Sequence, residues 1–201
     1  MDMERVLKNE FENWIVNYCS KYRIADKKLY SAVPKKTWHN SLNQFLKTEA
    51  DVQCKFGGYL ELTFMNKNPT EYTVHSELPI YDKSFGSHGM RVDLAITEVT
   101  DPCIWLNEDD IRNSLTAAIE VKYENYRYPY EEFDNGRIRR DIEKLATLTP
   151  ENGYHQKIIK IMLIMVENPD FDSDRISVRE TITLAREANV RIFSNITQLM
   201  C

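Results

Sequence analysis

The segment Thr116-Ala117-Ala118-Ile119-Glu120-Val121-Lys122 decides the fold, because its alternating pattern predicts a strand with two unlike faces. Successive side chains of a strand point to opposite faces of the sheet. Ala117, Ile119 and Val121 therefore share one face, which suits a core. The other face carries Glu120 and Lys122 behind smaller residues. A carboxylate and an ammonium next to small side chains leave room for an ion and a phosphate.

A second segment, residues 91–96, shows the same alternation earlier in the chain. Its pattern predicts a neighbouring strand with Val92, Leu94 and Ile96 on the core face. Asp93 then lies on the other face. The two strands together predict that Asp93, Glu120 and Lys122 converge on one side of a sheet.

A third acid is expected from a helix over residues 37–52. Glu49 continues an apolar stripe at helical spacing, so it is predicted to lie on the buried face of the helix and not on the solvent-exposed face. The stripe consists of Leu42, Phe45 and Leu46. A buried carboxylate is costly unless a metal ion or Lys122 pairs with it. A role at the frayed end of the helix is the alternative for Glu49. Glu77 competes as the third acid, either as a metal ligand or as a structural residue.

These residue types suit metal-assisted hydrolysis at a phosphoryl group. Carboxylate oxygens hold Mg²⁺ and leave coordination positions for water and phosphate oxygens, and Mn²⁺ is expected to substitute. Such an ion polarises a phosphoryl oxygen and helps to generate hydroxide. Lys122 would position the attacking water or stabilise the charge that develops on phosphorus. The alternative is a surface ion pair between Glu120 and Lys122 on an edge strand.

The order of the predicted elements indicates an α/β domain with a mixed central sheet flanked by helices. Hydrophobic periodicity and turn residues define these elements. Helices are predicted at 4–24 (capped by Asp2), 37–52, 131–148 and 173–188 (capped by Ser173 or Asp174). Strands are predicted at 59–65, 72–80, 90–99, 115–123, 157–166 and 190–193. Gly57-Gly58 is expected to end the helical region before the first strand, and residues 100–113 are expected to form a polar connection.

The arrangement of Glu49, Asp93 and Glu120-Val121-Lys122 resembles the PD-(D/E)XK nuclease superfamily, whose fold is called restriction-endonuclease-like. Members carry an acid on the first core helix, an Asp on the second core strand and an acid-x-Lys on the third. The resemblance covers roughly residues 37–166. Val92 stands where members often have Pro, and the segment between Asp93 and Glu120 is longer than a tight hairpin needs.

The resemblance implies Mg²⁺-dependent hydrolysis of phosphodiester bonds, in DNA more often than in RNA. It implies one nuclease-like domain over 1–201, with a helical extension at 1–36, the catalytic core at 37–166 and a final helix and strand at 167–201. The catalytic residues it implies are Glu49, Asp93, Glu120 and Lys122, and the metal ligands are Asp93, Glu120, Glu49 and Glu77.

Composition limits the function classes. The chain has 201 residues, 42% of them hydrophobic, which suits a soluble globular domain. The apolar run ending at Val166 is too short to cross a bilayer. The four cysteines show no paired spacing, and no apolar signal segment begins the chain, so a cytoplasmic protein with reduced thiols is expected. The net charge of −5 weakly disfavours nucleic acid, but acids that hold metal ions also lower it.

Basic residues recur on the helix after the motif. Arg137, Arg140 and Lys144 share a face with Asp141 at helical spacing. Contact with nucleic-acid phosphates and a solvated charged face both fit this pattern. Four tyrosines could stack on bases or pack at a strand end, namely Tyr123, Tyr126, Tyr128 and Tyr130. His75 and His88 are expected to be structural.

The sequence therefore predicts a metal-dependent nuclease, expected to act on DNA in a defence or repair system. Whether it acts alone, as a homodimer or as a subunit of a larger complex stays open. The alternative is a catalytically inactive module of the same fold that binds nucleic acid or a protein partner. Metal binding through Asp93 and Glu120 separates the two.

Overall fold

Five strands form one mixed sheet at the centre of the fold. The computed structural model describes residues 2–15, 48–67, 71–80, 90–98, 107–124, 130–154, 157–166, 171–196 and 199. Its strands are β1 (Tyr72–Ile80), β2 (Met90–Glu98), β3 (Leu115–Glu124), β4 (Ile159–Val166) and β5 (Arg191–Ser194). They are hydrogen-bonded in that order, antiparallel from β1 to β3 and parallel from β3 to β5. This confirms the predicted fold class.

Helices cover both faces of the sheet. They are α1 (Met3–Trp14), α2 (Glu49–Lys67), α3 (Glu108–Ser114), α4 (Glu131–Asp134), α5 (Arg137–Ala146) and α6 (Ile176–Glu187). Buried side chains of α1 and α2 pack against Ile119 and Val121 of β3 on one face. Those of α3 to α6 pack around Ala118 on the other face. The central strands are therefore covered on both sides, and β4 is apolar along most of its length for this reason.

α2 corrects the sequence-based prediction for residues 57–65. The helix continues through Gly57-Gly58, where a break was expected, and it occupies the region where a strand was expected. Its buried side chains recur every four residues, at Val52, Phe56, Leu60 and Phe64. Leu60 and Phe64 fit a helical stripe as well as a strand alternation. Leu62, which only the strand pattern would bury, is 64% exposed.

Other boundaries also differ from the prediction. The helix expected at 131–148 is divided into α4 and α5 at Gly136, whose φ of 66° ends regular helical geometry. The connection expected at 100–113 contains α3, which begins with a capping box between Asn107 and Asp110. The N-cap of α6 is Arg175, not Ser173 or Asp174.

The N-terminal helix begins as predicted. Asp2 accepts the Arg5 N–H at 3.3 Å and so caps α1. The rest of that predicted helix, and most of the one predicted at 37–52 with its stripe of Leu42, Phe45 and Leu46, lies outside the described residues.

Two adjacent glycines of α2 give a matched test of the packing between helix and sheet. A Cβ at Gly57 would lie 2.8 Å from Cδ2 of the buried Leu94, whereas a Cβ at Gly58 would meet nothing within 4 Å. Gly58→Ala should raise the free energy of unfolding by about 0.5–1 kcal/mol, the usual helical gain. Gly57→Ala should lower it by about 1 kcal/mol or more, because Leu94 has to move in a packed core.

Urea denaturation of the two variants and the wild-type protein measures this difference. Equal effects at the two positions would contradict the close approach of α2 to β2.

Candidate active site

The site forms where β2 and β3 separate. Backbone pairing of these strands reaches Leu94 and Ile119 and stops one step before Asp93 would face Glu120. At that step Asp93 Oδ2 accepts the Val121 N–H at 2.7 Å. The side chain of Asp93 thus pairs with a backbone donor at the place where the ladder ends, and its carboxylate is fixed beside the motif of β3.

The backbone around Asp93 departs from simple strand alternation. Val92 belongs to the core cluster on the α3–α6 side of the sheet, whereas Leu94 belongs to the cluster on the other side. The predicted common face for Val92 and Leu94 is therefore wrong. On the neighbouring strand, Glu77 has a φ of 55°, an uncommon conformation for a residue with a side chain. Strand irregularities of this kind re-aim a side chain.

Glu120 is almost completely buried, with 2% of its surface exposed. Lys144 of α5 forms an ion pair with it, with Nζ 2.6 Å from Glu120 Oε1. Burial, together with the charge of Asp93, raises the pKa of Glu120 to about 8, although Lys144 acts in the opposite direction. Removal of a carboxylate from water favours its protonated form. Glu120 therefore lies in an environment that strongly favours a nearby cation when it is ionised.

Lys122 contacts acids from both helical layers. Its Nζ lies 3.0 Å from Asp141 Oδ2 on α5 and 3.3 Å from Glu49 Oε2 on α2. Burial by itself would lower the pKa of Lys122, but Asp141 and Glu49 outweigh it and the pKa is raised. The ammonium is therefore held in its charged form at physiological pH.

Glu49 and Glu77 lie at the edge of the site. Glu49 is the first residue of α2, and Thr48 caps that helix by accepting the Asp51 N–H at 3.2 Å. Burial raises the pKa of Glu49, although Lys122 opposes that shift. Glu77 is exposed, and its Oε1 accepts a hydrogen bond from Gln53 at 3.1 Å.

Gln53 is a site residue that the sequence-based prediction missed. Its amide also donates to the Asp93 carbonyl at 2.7 Å, so it links α2 to the irregular part of β2. Gln53 follows the buried Val52 on α2, but because the helix was predicted to end there, this position carried no signal.

The three predicted nucleic-acid-binding residues have different surroundings. Lys144 lies inside the site, where its Nζ also donates to the Arg91 carbonyl at 2.8 Å. Arg137 pairs with the buried Glu132 at 2.7 Å. Arg140 is exposed and donates to the Asn135 carbonyl. Of the three, Arg137 and Arg140 are exposed to solvent, whereas Lys144 is partly buried. Only the two arginines could therefore contact a nucleic-acid strand without a change of side-chain conformation.

Asp141 had no predicted role beyond the charged stripe, although the spacing contained a signal. Ile138, Ile142 and Leu145 form the buried stripe of α5, and positions 141 and 144 flank that stripe. Charged residues that border a buried stripe are placed to reach over it. Asp141 accordingly contacts Lys122, and its Oδ1 lies 3.7 Å from Lys144 Nζ.

The remaining aromatic and histidine positions are structural where they are described. His75 contacts the Thr97 hydroxyl at 2.8 Å. Tyr130 packs against Phe171 with ring centroids 4.9 Å apart, and its hydroxyl accepts the Asp172 N–H. His88, Tyr126 and Tyr128 lie outside the described residues.

The donor set of the site fits a hard divalent cation with few protein ligands. Within the described residues no three His, Cys, Asp or Glu side chains converge as a complete metal cage. Mg²⁺ does not require one, since it is usually bound by one or two carboxylates together with waters and substrate phosphates. Asp93 and Glu120 supply two carboxylates on adjacent strands, and burial together with the charge of Asp93 raises the pKa of Glu120.

Comparison with known proteins gives one structural likeness. No protein-family model matches the chain, and no curated protein matches it. The chain resembles the solved structure of P. aeruginosa ATCC27853 NucC in its cAAA-bound form, with a TM-score of 0.44 and 13% sequence identity over 100% of this chain and 74% of NucC. A likeness at this level assigns no function. In the part of the chain that the structure describes, no helix is long and apolar enough to cross a membrane.

A second pair of buried acids lies beyond Lys122. Glu124, at the end of β3, accepts the N–H groups of Glu132 and Phe133 through Oε1. Among the described residues, its Oε2 and the Oε2 of Glu132 are buried without a hydrogen-bond partner. Burial, together with the charge of Glu132, raises the pKa of Glu124 to about 7.

Glu124→Gln should stabilise the protein in a pH-dependent way. Because the folded-state pKa is raised from 4.5 to about 7, the contribution of Glu124 to stability is fully present below pH 4.5 and is lost as the pH rises through 7. Glutamine keeps an acceptor for the two N–H groups and cannot ionise. Its advantage over wild type should therefore grow between pH 5 and pH 8, up to about 3 kcal/mol.

Urea denaturation at the two pH values measures this advantage. Glu131→Gln is the control, since it removes an exposed carboxylate from α4, next to Glu132, and should change stability little. A gain for Glu124→Gln that is the same at pH 5 and pH 8 would refute the assignment of Glu124 as the titrating group.

Proposed function

We propose that this chain is a metal-dependent nuclease that hydrolyses phosphodiester bonds in nucleic acid, with DNA as the expected substrate. One observation carries the proposal. The carboxylates of Asp93 and Glu120 lie on adjacent strands at the step where the pairing of β2 with β3 stops, and the ammonium of Lys122 lies on the same strand face as Glu120. An acid pair beside a fixed cation is the set of groups that phosphodiester hydrolysis uses.

The metal would be held by Asp93 and Glu120. Mg²⁺ is the expected ion, and Mn²⁺ would substitute for it. When bound, a divalent ion polarises the phosphoryl oxygen and lowers the pKa of a bound water. Glu49 and Glu77 lie at the edge of the site and would contribute further oxygen ligands, directly or through water.

Lys122 would act as a charged donor, not as a base. Its pKa is raised by the contacts with Asp141 and Glu49, which outweigh burial, so the ammonium does not release its proton in the neutral range. A fixed positive charge that donates to a phosphate oxygen stabilises the negative charge of the transition state. Asp141 and Glu49 hold Lys122 from two helices, and they thereby fix the direction in which it donates.

The negative charge of the site has to be compensated before a polyanion such as nucleic acid can approach it. The four acids of the site outnumber its two lysines, Lys122 and Lys144; the acids are Asp93, Glu120, Glu49 and Asp141. Arg137 and Arg140, which are exposed on α5, would supply phosphate contacts beside the site. A bound divalent cation would supply the rest of the positive charge.

Substitutions in the site should separate metal binding from catalysis. Glu120→Gln and Asp93→Asn keep the side-chain size but remove a ligand charge, so each should lose both Mg²⁺ affinity and cleavage. Lys122→Ala leaves both ligands in place, so it should keep much of the Mg²⁺ binding and lose cleavage by about a hundredfold or more. Isothermal titration with Mg²⁺ and cleavage of labelled single- and double-stranded DNA and RNA measure the two properties.

Glu143→Gln is the matched control, because it neutralises an exposed carboxylate on α5 away from these contacts and should behave as wild type. Cleavage that persists in excess EDTA, or a Glu120→Gln variant as active as wild type, would rule out the proposed nuclease. Nucleic-acid binding without Mg²⁺ binding or cleavage would instead identify an inactive binding module.

A further inference from the structure

Lys144 occupies a position that an ion could take. Its Nζ lies 2.6 Å from Glu120 Oε1, 2.8 Å from the Arg91 carbonyl oxygen and 3.7 Å from Asp141 Oδ1. The side chain is only 18% exposed. A carboxylate, a backbone carbonyl and a second carboxylate are oxygen donors of the kind that hard cations prefer.

The charges around Lys144 explain why it lies there. Glu120 is buried beside the partly buried Asp93, and two neighbouring carboxylates removed from water are unfavourable without a cation. Lys122 is engaged with Glu49 and Asp141. Among the described residues, Lys144 is the cation that contacts Glu120.

We propose that Lys144 is the resident counter-ion of Glu120 in the metal-free protein, and that a divalent cation binds the site by exchanging with the Lys144 ammonium. This inference rests on the proposed metal-dependent function and adds how the metal site is controlled. In the exchanged state Lys144 remains beside Asp141 and is available to a substrate phosphate. It is thus a positioning residue for the metal site and a phosphate ligand after exchange.

The metal ion and the Lys144 ammonium exclude each other because they would occupy the same space and carry like charges. A nitrogen 2.6 Å from Glu120 Oε1 occupies the region in which a metal bound to that oxygen would lie, since Mg²⁺ binds oxygen at about 2.1 Å. An ammonium and a divalent ion at such separations repel each other strongly in a buried site. Asp141 offers a nearby alternative partner on the same helix, three residues before Lys144. A change of side-chain conformation is therefore sufficient, and α5 need not move.

Lys144→Met tests the exchange through metal affinity. The variant keeps the unbranched side chain but removes the competing charge, so it should bind Mg²⁺ about tenfold more tightly than wild type, a typical size for coupling between two binding events. Calorimetric titrations should be compared at alkaline pH, where affinity no longer changes with pH and proton competition is absent. Arg139→Met is the control, because it removes an exposed positive charge from the same helix and should leave the affinity unchanged.

The wild-type protein gives a second measurement that does not depend on the variant's folding. The Lys144 Nζ resonance, followed by ¹⁵N NMR, should shift on saturation with Mg²⁺ much more than the Lys122 Nζ resonance, because Lys144 loses its contact with Glu120 whereas Lys122 keeps its contact with Asp141. A Lys144 resonance that does not move, or Mg²⁺ binding to Lys144→Met that is no tighter than to wild type, would overturn the exchange alone. Absence of Mg²⁺ binding from both proteins would overturn the proposed function as well.

Discussion

The bond between Asp93 Oδ2 and the Val121 N–H fixes the geometry on which the rest of the site depends. A backbone N–H at the end of a strand pair needs a partner, because a buried donor without one is costly. Asp93 meets that need with a carboxylate where β2 no longer offers a carbonyl. The two strands can then stop pairing at this step without leaving the Val121 N–H unsatisfied, and the carboxylate of Asp93 is held next to the motif of β3. One interaction therefore ends the ladder and orients the first acid.

The charged groups come from both helical layers, and the way α2 and α5 pack on the sheet determines which ones meet. α2 brings Glu49 through its first residue and Gln53 one turn later. α5 brings Asp141 and Lys144, which border its buried stripe. Lys122 is paired with Glu49 and Asp141, and Lys144 is paired with Glu120 as well as with Asp141 of its own helix, so the full set of pairs forms only when both layers are packed on the sheet. Its electrostatic arrangement is thus a consequence of the core.

Sequence patterns predicted the five observed strands well and the cross-element contacts poorly. The alternation of residues 116–122 was decisive because a shift by one residue would take Ile119 and Val121 out of their apolar cluster and place Glu120 and Lys122 in it. The pattern at 57–65 was ambiguous, because Leu60 and Phe64 satisfy both periods and Gly57-Gly58 suggested a break. Gly57 instead permits α2 to approach Leu94, a requirement set by a partner distant in sequence. The contacts of Lys144 and Gln53 depend on how α5 and α2 pack, which no local pattern encodes.

The motif of β3 also shows why residue type alone does not identify a metal ligand. Glu120, Lys122 and Glu124 alternate onto one face of the strand, and both acids are buried with a raised pKa. Their surroundings differ. One oxygen of Glu124 is occupied by two backbone N–H groups, which compensate it within the fold. Glu120 is compensated by the side-chain ammonium of Lys144. A backbone donor cannot leave, whereas a flexible lysine can, so of the two buried acids Glu120 is the one whose partner can be exchanged for an ion.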